Sequence, residues 1–246
     1  MWFFKKNKVF IDVAESVDLV LSSTGTVLRN EVSGSVQMNT TKLTGTPECK
    51  FGLSDGVETD DCTFHGCVPL GKFDADRTIT FIPPDGEKLE LLRYRLTNIN
   101  LPFQMIPTIR VEPNSTKVYL KIIATFSELL VADNMVITIP VPKTTTKAKI
   151  KKTFGRAKYE PEQQEIVWRI KHFVGQSECV INVEVDSVVS ATLARNQPPI
   201  QVEFELPMFS ASGVHVRFAR FDDKAGRVNR WIRYTTRAGQ CQIQMQ

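Results

Sequence analysis

The chain has 246 residues, of which 42% are hydrophobic and 24% are charged, and its formal net charge is +4. A chain of this length and composition can bury a sizeable core, in one large domain or two smaller ones, and this excludes a disordered protein. The small net charge excludes binding that depends on total charge, so any basic function must come from local clusters of lysine and arginine. The sequence contains no run of about 18 apolar residues, so no membrane-spanning helix is predicted.

A strand is predicted close to the start of the chain. Because successive side chains of a strand point to opposite faces, Phe10 and Asp12 share one face, while Val9, Ile11 and Val13 share the other. The strand therefore presents an aromatic ring and a carboxylate side by side, with an apolar face behind them.

Alternation of apolar and polar residues recurs along the chain and predicts half-buried antiparallel strands. The clearest cases are Val118–Phe126, Ile166–Lys171, Cys179–Asp186 and Val202–Leu206. A turn is predicted at Ser23–Thr26, and prolines such as Pro107 are expected to interrupt strands. No convincing amphipathic helix is present. The predicted fold class is all-β, built of antiparallel β-sandwiches.

Near the other end of the chain, Trp231 and Arg233 share one face of a predicted strand, with Ile232 on the opposite face. Each of the two predicted strands carries an aromatic residue beside a charged residue, and the two charges have opposite sign. Together, such strands are suited to bind an aromatic ring that carries a hydroxyl group. The spacing alone favours a simpler interpretation, in which Phe10 and Trp231 belong to the core and Asp12 and Arg233 form a surface ion pair.

Several motifs resemble the C-terminal, mu-homology domain of the medium (mu) subunits of clathrin adaptor complexes. The most specific is Phe81–Glu87, with the sequence Phe-Ile-Pro-Pro-Asp-Gly-Glu, which is followed by Leu92–Arg95. The two strands described above match the same family, and the resemblance covers residues 5–241. Three further motifs resemble the endocytic complex, adaptor protein complex 2, more than its Golgi and endosomal relatives: Asp60–His65, Pro198–Ile200 and Met208–Gly213.

The resemblance implies an elongated pair of antiparallel β-sandwich subdomains, the second inserted into the first. Subdomain A, which would bind the tyrosine signal, is expected to comprise residues 1–97 and 209–246. Subdomain B, residues 98–208, would carry a basic patch. The N-terminal longin-like domain of the family is absent, so the chain is expected to be a fragment of a longer subunit.

Mu subunits bind Tyr-x-x-Φ sorting signals, where Φ is a bulky apolar residue, in the cytoplasmic tails of transmembrane cargo. The resemblance assigns the tyrosine pocket to Phe10, Asp12, Trp231 and Arg233. With this resemblance, a binding pocket is favoured over the simpler interpretation of core aromatic residues and a surface ion pair. The resemblance assigns the Φ pocket to Val9, Ile11, Val216, Ala219, Arg230 and Ile232. The peptide would lie extended and add a strand to a sheet edge.

Two residues depart from the pattern of the endocytic members. Asn39 stands where they usually carry a basic residue beside the tyrosine hydroxyl, and Ala219 stands where they carry a larger aliphatic residue. The departures predict a weaker affinity for the signal, or a roomier Φ pocket that accepts Phe or Met.

A basic cluster lies between Lys143 and Lys158, a stretch that contains no acidic residue. The resemblance places a phosphoinositide-binding patch in this region, and a lysine-rich solvated loop is the alternative. The expected lipid-binding residues are Lys5, Lys6, Lys147, Lys149, Lys151, Lys152, Arg156 and Lys158. Nucleic acid is not expected as a partner, because no recognition motif is present.

No catalytic site, metal site or cofactor is predicted. His65, His172 and His215 lack the spacing of metal ligands, and the common hydrolase, phosphate-loop and zinc-protease signatures are missing. The five cysteines are odd in number and form no CxxC pair, which predicts free thiols in a reducing compartment.

The sequence thus predicts a non-enzymatic cargo-recognition module of a clathrin adaptor complex. Its expected partners are Tyr-x-x-Φ peptides, phosphoinositide lipids, and the large and small adaptor subunits. The expected location is the cytosol and the cytoplasmic face of the plasma membrane, in clathrin-coated pits. The alternatives are a mu-homology interaction module of a trafficking factor without tyrosine-signal recognition, and a purely structural coat protein.

Overall fold

The computed structural model describes residues 7–42, 47–54, 61–69, 73, 77–84, 88–112, 114–186, 197–222 and 228–245. Apart from Phe73, which is helical, the regular structure in these ranges consists of β-strands, which confirms the predicted all-β class. None of the described segments forms a helix that is long and apolar enough to cross a membrane. The strands are β1 (Asn7–Leu21), β2 (Val27–Lys42), β3 (Cys49–Leu53), β4 (Asp61–Phe64), β5 (Thr78–Phe81), β6 (Lys88–Thr97), β7 (Phe103–Glu112), β8 (Ser115–Ala124), β9 (Val131–Pro140), β10 (Lys147–Lys152), β11 (Arg156–Glu160), β12 (Glu165–Val174), β13 (Glu178–Asp186), β14 (Ile200–Pro207), β15 (Val216–Phe221) and β16 (Val228–Ile243).

Strand β1 follows directly from its alternating sequence. Val9, Ile11 and Val13 are buried, whereas Phe10 and Asp12 on the opposite face are half-buried. Burying one apolar face is what holds such a strand in register. The predicted division of the two faces is therefore confirmed.

The strands form three sheets. The largest has nine strands in the order β11-β12-β9-β14-β16-β1-β2-β6-β4, the second has the order β10-β13-β8-β7, and the third has the order β15-β3-β5. Side-chain contacts between β1 and β16 advance in the same direction along both strands, since Asp12 bonds to Arg233 and Glu15 bonds to Thr236. The two strands therefore run parallel, although 221 positions separate each pair of partners.

The prediction that Pro107 interrupts a strand is wrong. Pro107 lies inside β7, opposite Leu120 of β8. Proline has no N–H to donate, but β7 is the last strand of its sheet, so one side of its backbone needs no partner strand. The predicted turn at Ser23–Thr26 is confirmed, because it joins β1 to β2 and Gly25 adopts a positive φ of 87°.

The chain separates into two compact units. Unit 1 comprises Met1–Ser16, Val32–Ile99 and Met208–Thr236, and unit 2 comprises Val17–Glu31, Asn100–Pro207 and Arg237–Gln246. The subdomain boundaries predicted from the sequence, 1–97 with 209–246 and 98–208, stay a prediction.

Unit 2 is a sandwich whose core includes a group of packed aromatic rings. The ring of Phe103 on β7 lies 5.7 Å from that of Phe173 on β12 and 4.9 Å from that of Phe204 on β14, measured between centroids. These contacts join the four-stranded sheet to the unit 2 strands of the nine-stranded sheet. Trp168 of β12 is fully buried.

Close packing in unit 1 depends on a glycine. A Cβ atom at Gly34 of β2 would lie only 2.2 Å from the ring of Tyr94 on β6, so any other residue would displace that ring. The Tyr94 side chain is thereby held against β2, with its hydroxyl group in the interior.

Candidate functional site

Asp12 and Arg233 form a bidentate ion pair on the outer face of unit 1. Nε of Arg233 donates to one carboxylate oxygen of Asp12 at 2.7 Å, and Nη2 donates to the other at 2.9 Å. The side chain of Asp12 is 22% exposed and that of Arg233 is 63% exposed, so the pair lies at the surface. The ion pair suggested by the spacing is therefore present.

The aromatic residues of the predicted tyrosine pocket differ in their surroundings. The guanidinium carbon of Arg233 lies 5.9 Å from the centroid of the Phe10 ring, so Phe10, Asp12 and Arg233 form one cluster. Trp231, on the same strand as Arg233, is 58% exposed. An indole with so much apolar surface in water is free to contact a ligand.

The electrostatics of the cluster keep Arg233 charged. The hydrogen bonds to Asp12, with the negative charge of that carboxylate, raise the pKa of Arg233 above its ordinary value. Two hydrogen bonds from Arg233 use only part of the acceptor capacity of Asp12, because a carboxylate offers about four lone-pair positions. Asp12 can therefore accept a further hydrogen bond from a ligand hydroxyl without losing Arg233.

Among the described strands, none pairs with the first part of β16 on the side away from β1, and this side is called the open edge of β16. Strand β16 has sixteen residues, whereas β14, its neighbour on the side away from β1, has only eight. Met208, directly after β14, donates to the carbonyl of Tyr234, and Arg237 pairs with Glu205. Strand β14 therefore runs beside β16 from Tyr234 onward, and the Val228–Arg233 segment extends beyond it.

Three of the six residues of the predicted Φ pocket are buried. Val9, Ile11 and Ala219 belong to the core, whereas Val216 and Ile232 are half-buried and Arg230 is exposed. Nη1 of Arg230 donates to the carbonyl oxygen of Ala219 at 2.7 Å, which ties β16 to β15. At the surface a ligand would meet Val216, Ile232 and Arg230. The assignment of both pockets stays a prediction.

The two departures from the endocytic pattern lie in different surroundings. Asn39 is half-buried on β2, and Ala219 is buried on β15, opposite Phe51 of β3. A larger aliphatic residue at Ala219 would need room in this packed layer.

A buried carboxylate lies next to the cluster, and the sequence analysis did not assign it a role. Glu15 accepts hydrogen bonds from the hydroxyl groups of Tyr94 at 2.7 Å, Ser210 at 3.0 Å and Thr236 at 3.0 Å, and from the amide of Ala211 at 2.5 Å. The hydroxyl of Ser212 donates to it as well. Burial raises the pKa of Tyr94, which keeps its hydroxyl protonated as a donor. The sequence signal for this network is Glu15 itself, a charged residue at a position of β1 where the alternation predicts a buried apolar side chain.

The Glu15 network fixes the segment Ser210–Gly213, which leads into β15. The hydroxyl of Ser54 donates to the Gly213 carbonyl, and the amide of Val216 donates to the Tyr234 hydroxyl at 3.0 Å. Glu15 therefore helps to hold the segment that leads into β15, whose strand itself pairs with β3.

The predicted basic cluster is divided between two sheets of unit 2. Lys147, Lys149 and Lys151 are exposed on one face of β10, as the alternation predicted, and Lys152 is also exposed. Arg156 and Lys158 are exposed on β11, which belongs to the other sheet. Lys5 and Lys6 lie outside the described residues. The assignment of these residues to lipid stays a prediction.

Some charges of the cluster are already compensated. Lys149 pairs with Glu184 at 3.6 Å, and Lys158 pairs with Glu160 at 3.0 Å. Arg156 faces Arg169 of β12 in direct cross-strand register. Positive charge is therefore concentrated where β10 ends and β11 begins.

The described residues include no group of three or more His, Cys, Asp and Glu side chains that could hold a metal ion. His172 pairs with Asp133 at 2.8 Å, and the ring of His65 contacts the thiol of Cys67 at 3.1 Å. All five cysteines are free thiols. Burial raises the pKa of three of them to about 12: Cys49, Cys179 and Cys241.

Comparison with known proteins gives relatives over nearly the whole chain. The chain is 43% identical to the AP-2 complex subunit mu of Dictyostelium discoideum over 267 aligned positions, which cover 96% of this chain and 60% of that protein. It is 40% identical to the AP-1 complex subunit mu-1-I of Caenorhabditis elegans, with 98% and 61% covered. It is 36% identical to the AP-2 complex subunit mu of Schizosaccharomyces pombe, again with 98% and 61% covered. The chain thus spans about three fifths of the length of these relatives.

Solved structures share the fold at low sequence identity. The Fcho1 mu-homology domain of Danio rerio, with a bound Eps15 peptide, matches with a TM-score of 0.73 and 11% identity over 97% of this chain and 98% of that chain. The mu-homology domain of yeast delta-COP-I matches with a TM-score of 0.69 and 14% identity over 96% of this chain and 97% of that chain.

The sequence model of the adaptor complexes medium subunit family matches residues 4–245. The chain therefore belongs to the adaptor complexes medium subunit family.

Proposed function

We propose that this chain is the cargo-recognition module of a clathrin adaptor complex and binds Tyr-x-x-Φ signals at the open edge of β16. The observation that carries the proposal is the cluster of Phe10, Asp12 and Arg233 beside the Val228–Arg233 segment. It combines an aromatic wall, a hydrogen-bond acceptor and an unpaired strand edge in one place. A tyrosine within an extended peptide needs these three features.

The tyrosine would bind with its hydroxyl on Asp12 and its ring against Phe10, Trp231 and the Arg233 guanidinium. A hydrogen bond to an ionised acceptor is shorter and stronger than one between neutral groups. The guanidinium over a ring adds a cation–π attraction. The backbone of the peptide would pair with β16, and its Φ side chain would lie on Val216 and Ile232, beside the stem of Arg230.

The relatives named as AP-2 and AP-1 mu subunits support a place in an adaptor complex, with large and small subunits as partners. Action at the cytoplasmic face of the plasma membrane, in clathrin-coated pits, is part of the proposal, as is a role without enzymatic activity. The greater likeness of the sequence motifs to the endocytic complex favours that membrane.

The basic cluster of β10 and β11 supports a second contact, with phosphoinositide lipids. Its side chains are exposed, and each lysine or arginine near an anionic leaflet contributes on the order of 1 kcal/mol. Signal and lipid lie on the same membrane, so binding one raises the effective concentration of the other.

Calorimetric titration with Tyr-x-x-Leu, Tyr-x-x-Phe and Ala-x-x-Leu peptides tests the signal site. Asp12→Asn should weaken binding of the tyrosine peptides about tenfold to a hundredfold, since a hydrogen bond to a charged group contributes about 1.5–3 kcal/mol. Asp18→Asn is a matched control, because Asp18 lies on the same strand, is 24% exposed and pairs with Arg29. Equal effects of the two variants, or equal binding of the alanine peptide, would contradict the proposal. Failure of every tyrosine peptide would favour a mu-homology module without this specificity.

A further inference from the structure

An aromatic side chain stands at the point where the positive charge of unit 2 is concentrated. Phe154 lies in the turn between β10 and β11, and 53% of its surface is exposed. Lys151 and Lys152 come directly before this turn, and Arg156 follows it. A large apolar ring in water is unfavourable by itself, and none of the contacts proposed above uses it.

The turn that presents Phe154 is held firmly by its backbone. The indole N–H of Trp168 donates to the Phe154 carbonyl at 2.8 Å, and the amide of Thr153 donates to the Val180 carbonyl at 3.0 Å. Gly155 has a φ of 75°, and a Cβ atom there would lie 2.6 Å from the carbonyl oxygen of Arg169. The ring is therefore exposed because the fold holds it outward.

The cations around Phe154 come from both sheets of the sandwich. β10 and β11 are the first strands of their sheets, so the turn joins two sheet edges. Arg156 and Arg169 lie directly opposite each other, and like charges in that arrangement destabilise a strand pair. In the part of the chain that the structure describes, no carboxylate forms an ion pair with any of four cations: Lys151, Lys152, Arg156 and Arg169.

We propose that Phe154 inserts into an anionic lipid bilayer, between the headgroups and the acyl chains, while the four cations bind lipid phosphates. This inference rests on the proposed lipid contact of the basic cluster and adds an apolar anchor to it. A bilayer surface offers negative charge and apolar depth together, which is the combination that this turn presents. An anion in solution would satisfy the cations but give the ring nothing to bury against.

Vesicle co-sedimentation of the 246-residue chain tests the anchor. The vesicles contain phosphatidylcholine with phosphatidylserine and phosphatidylinositol 4,5-bisphosphate. Phe154→Ala should lower the partition coefficient about fivefold to tenfold, because burying part of a phenylalanine ring in the bilayer contributes a binding free energy that corresponds to a factor of this size. Leu129→Ala is the matched control, since Leu129 is 87% exposed in another turn of unit 2, next to Glu128, and should leave binding unchanged.

A soluble inositol phosphate separates the two contributions. Phe154→Ala should bind it as tightly as the wild type, whereas Arg156→Glu should weaken binding of both inositol phosphate and vesicles. A loss of inositol phosphate binding in Phe154→Ala would mean that the ring only supports the cations, and would overturn the anchor. Wild-type chain that binds no anionic vesicle would overturn both the lipid contact and the anchor.

Depth is measured with Phe154→Trp. Its fluorescence, after subtraction of the wild-type signal, should shift to the blue on vesicles and be quenched by lipids that carry a nitroxide near the headgroup. An unshifted, unquenched emission on vesicles that do bind the chain would overturn the inference and leave the lipid contact standing. Equal losses in Phe154→Ala and Leu129→Ala would likewise overturn it.

Discussion

The Glu15 network gives a quantitative prediction about unit 1. One oxygen of Glu15 accepts from Tyr94 and Ser210, and the other accepts from the amide of Ala211 and the hydroxyl of Thr236. Glu15→Gln keeps the shape of the side chain but replaces one acceptor oxygen with an NH₂ group. Whichever way the amide is oriented, at least two buried donors then face a donor, and three do when the NH₂ group points toward Tyr94, Ser210 and Ser212.

The expected cost of Glu15→Gln is about 3 kcal/mol in the free energy of unfolding. An orphaned buried donor costs about 1–3 kcal/mol, and the charge-assisted strength of the remaining bonds is lost as well. Hydroxyl groups can rotate to reduce the loss, but the amide of Ala211 cannot. Tyr94→Phe removes one hydrogen bond and should cost about 1–1.5 kcal/mol.

Urea unfolding, followed by circular dichroism, measures these values from the midpoint and slope of the transition. Glu90→Gln is the control, because Glu90 forms an exposed pair with Arg93 and should cost under about 1 kcal/mol. The Glu15→Gln and Tyr94→Phe losses should not add, since the two side chains are in direct contact. A Glu15→Gln loss as small as that of Glu90→Gln would refute the reasoning.

Three further predictions concern the peptide site and the thiols. A phosphotyrosine peptide should bind far more weakly than its unmodified parent, because it brings roughly 1.5–2 negative charges against Asp12; calorimetry with equal affinity for both peptides would contradict this. Asn39→Lys should tighten tyrosine-peptide binding by adding a charge-assisted donor, and an unchanged dissociation constant would show that the substitution is silent. The buried thiols should resist alkylation in the folded chain, as mass spectrometry can verify. These thiols belong to Cys49, Cys179 and Cys241. Because burial raises their pKa from the ordinary 9.0 to about 12, the stability that they contribute to the fold is complete below pH 9.0 and is lost as the pH rises toward about 12.

Much of the strand structure could be predicted from local pattern. The alternation at Val9, Phe10, Ile11, Asp12 and Val13 correctly divides β1 into its two faces, because burial of one face leaves a signal of period two in the sequence. The all-β class follows from repeated alternation of this kind.

Pairing between distant strands has no such local signal. The parallel contact of β1 with β16 joins Asp12 to Arg233, and nothing in the spacing of either strand specifies that partner. The family resemblance supplied the association. The prediction for Pro107 fails for the same reason, since only the position of β7 at a sheet edge makes proline acceptable there.

The site was only partly predictable. Phe10, Asp12 and Arg233 come together as expected, whereas the role of Glu15 depends on donors from Tyr94 and a loop almost two hundred positions away. A carboxylate in an apolar register indicates a buried network, but the sequence does not say which groups complete it.

The burial of three residues of the predicted Φ pocket has a kinetic consequence for the proposed function. Val9, Ile11 and Ala219 are enclosed, so an incoming apolar side chain reaches them only after neighbouring side chains move. A peptide that needs such an opening step associates no faster than the opening itself, and its observed rate levels off as peptide concentration rises. The fraction of molecules that is open also scales the apparent affinity. Under the proposed function, the residence time of a bound signal would be governed by how firmly β15 and β16 enclose its Φ side chain, and the tyrosine contacts would decide which peptides bind.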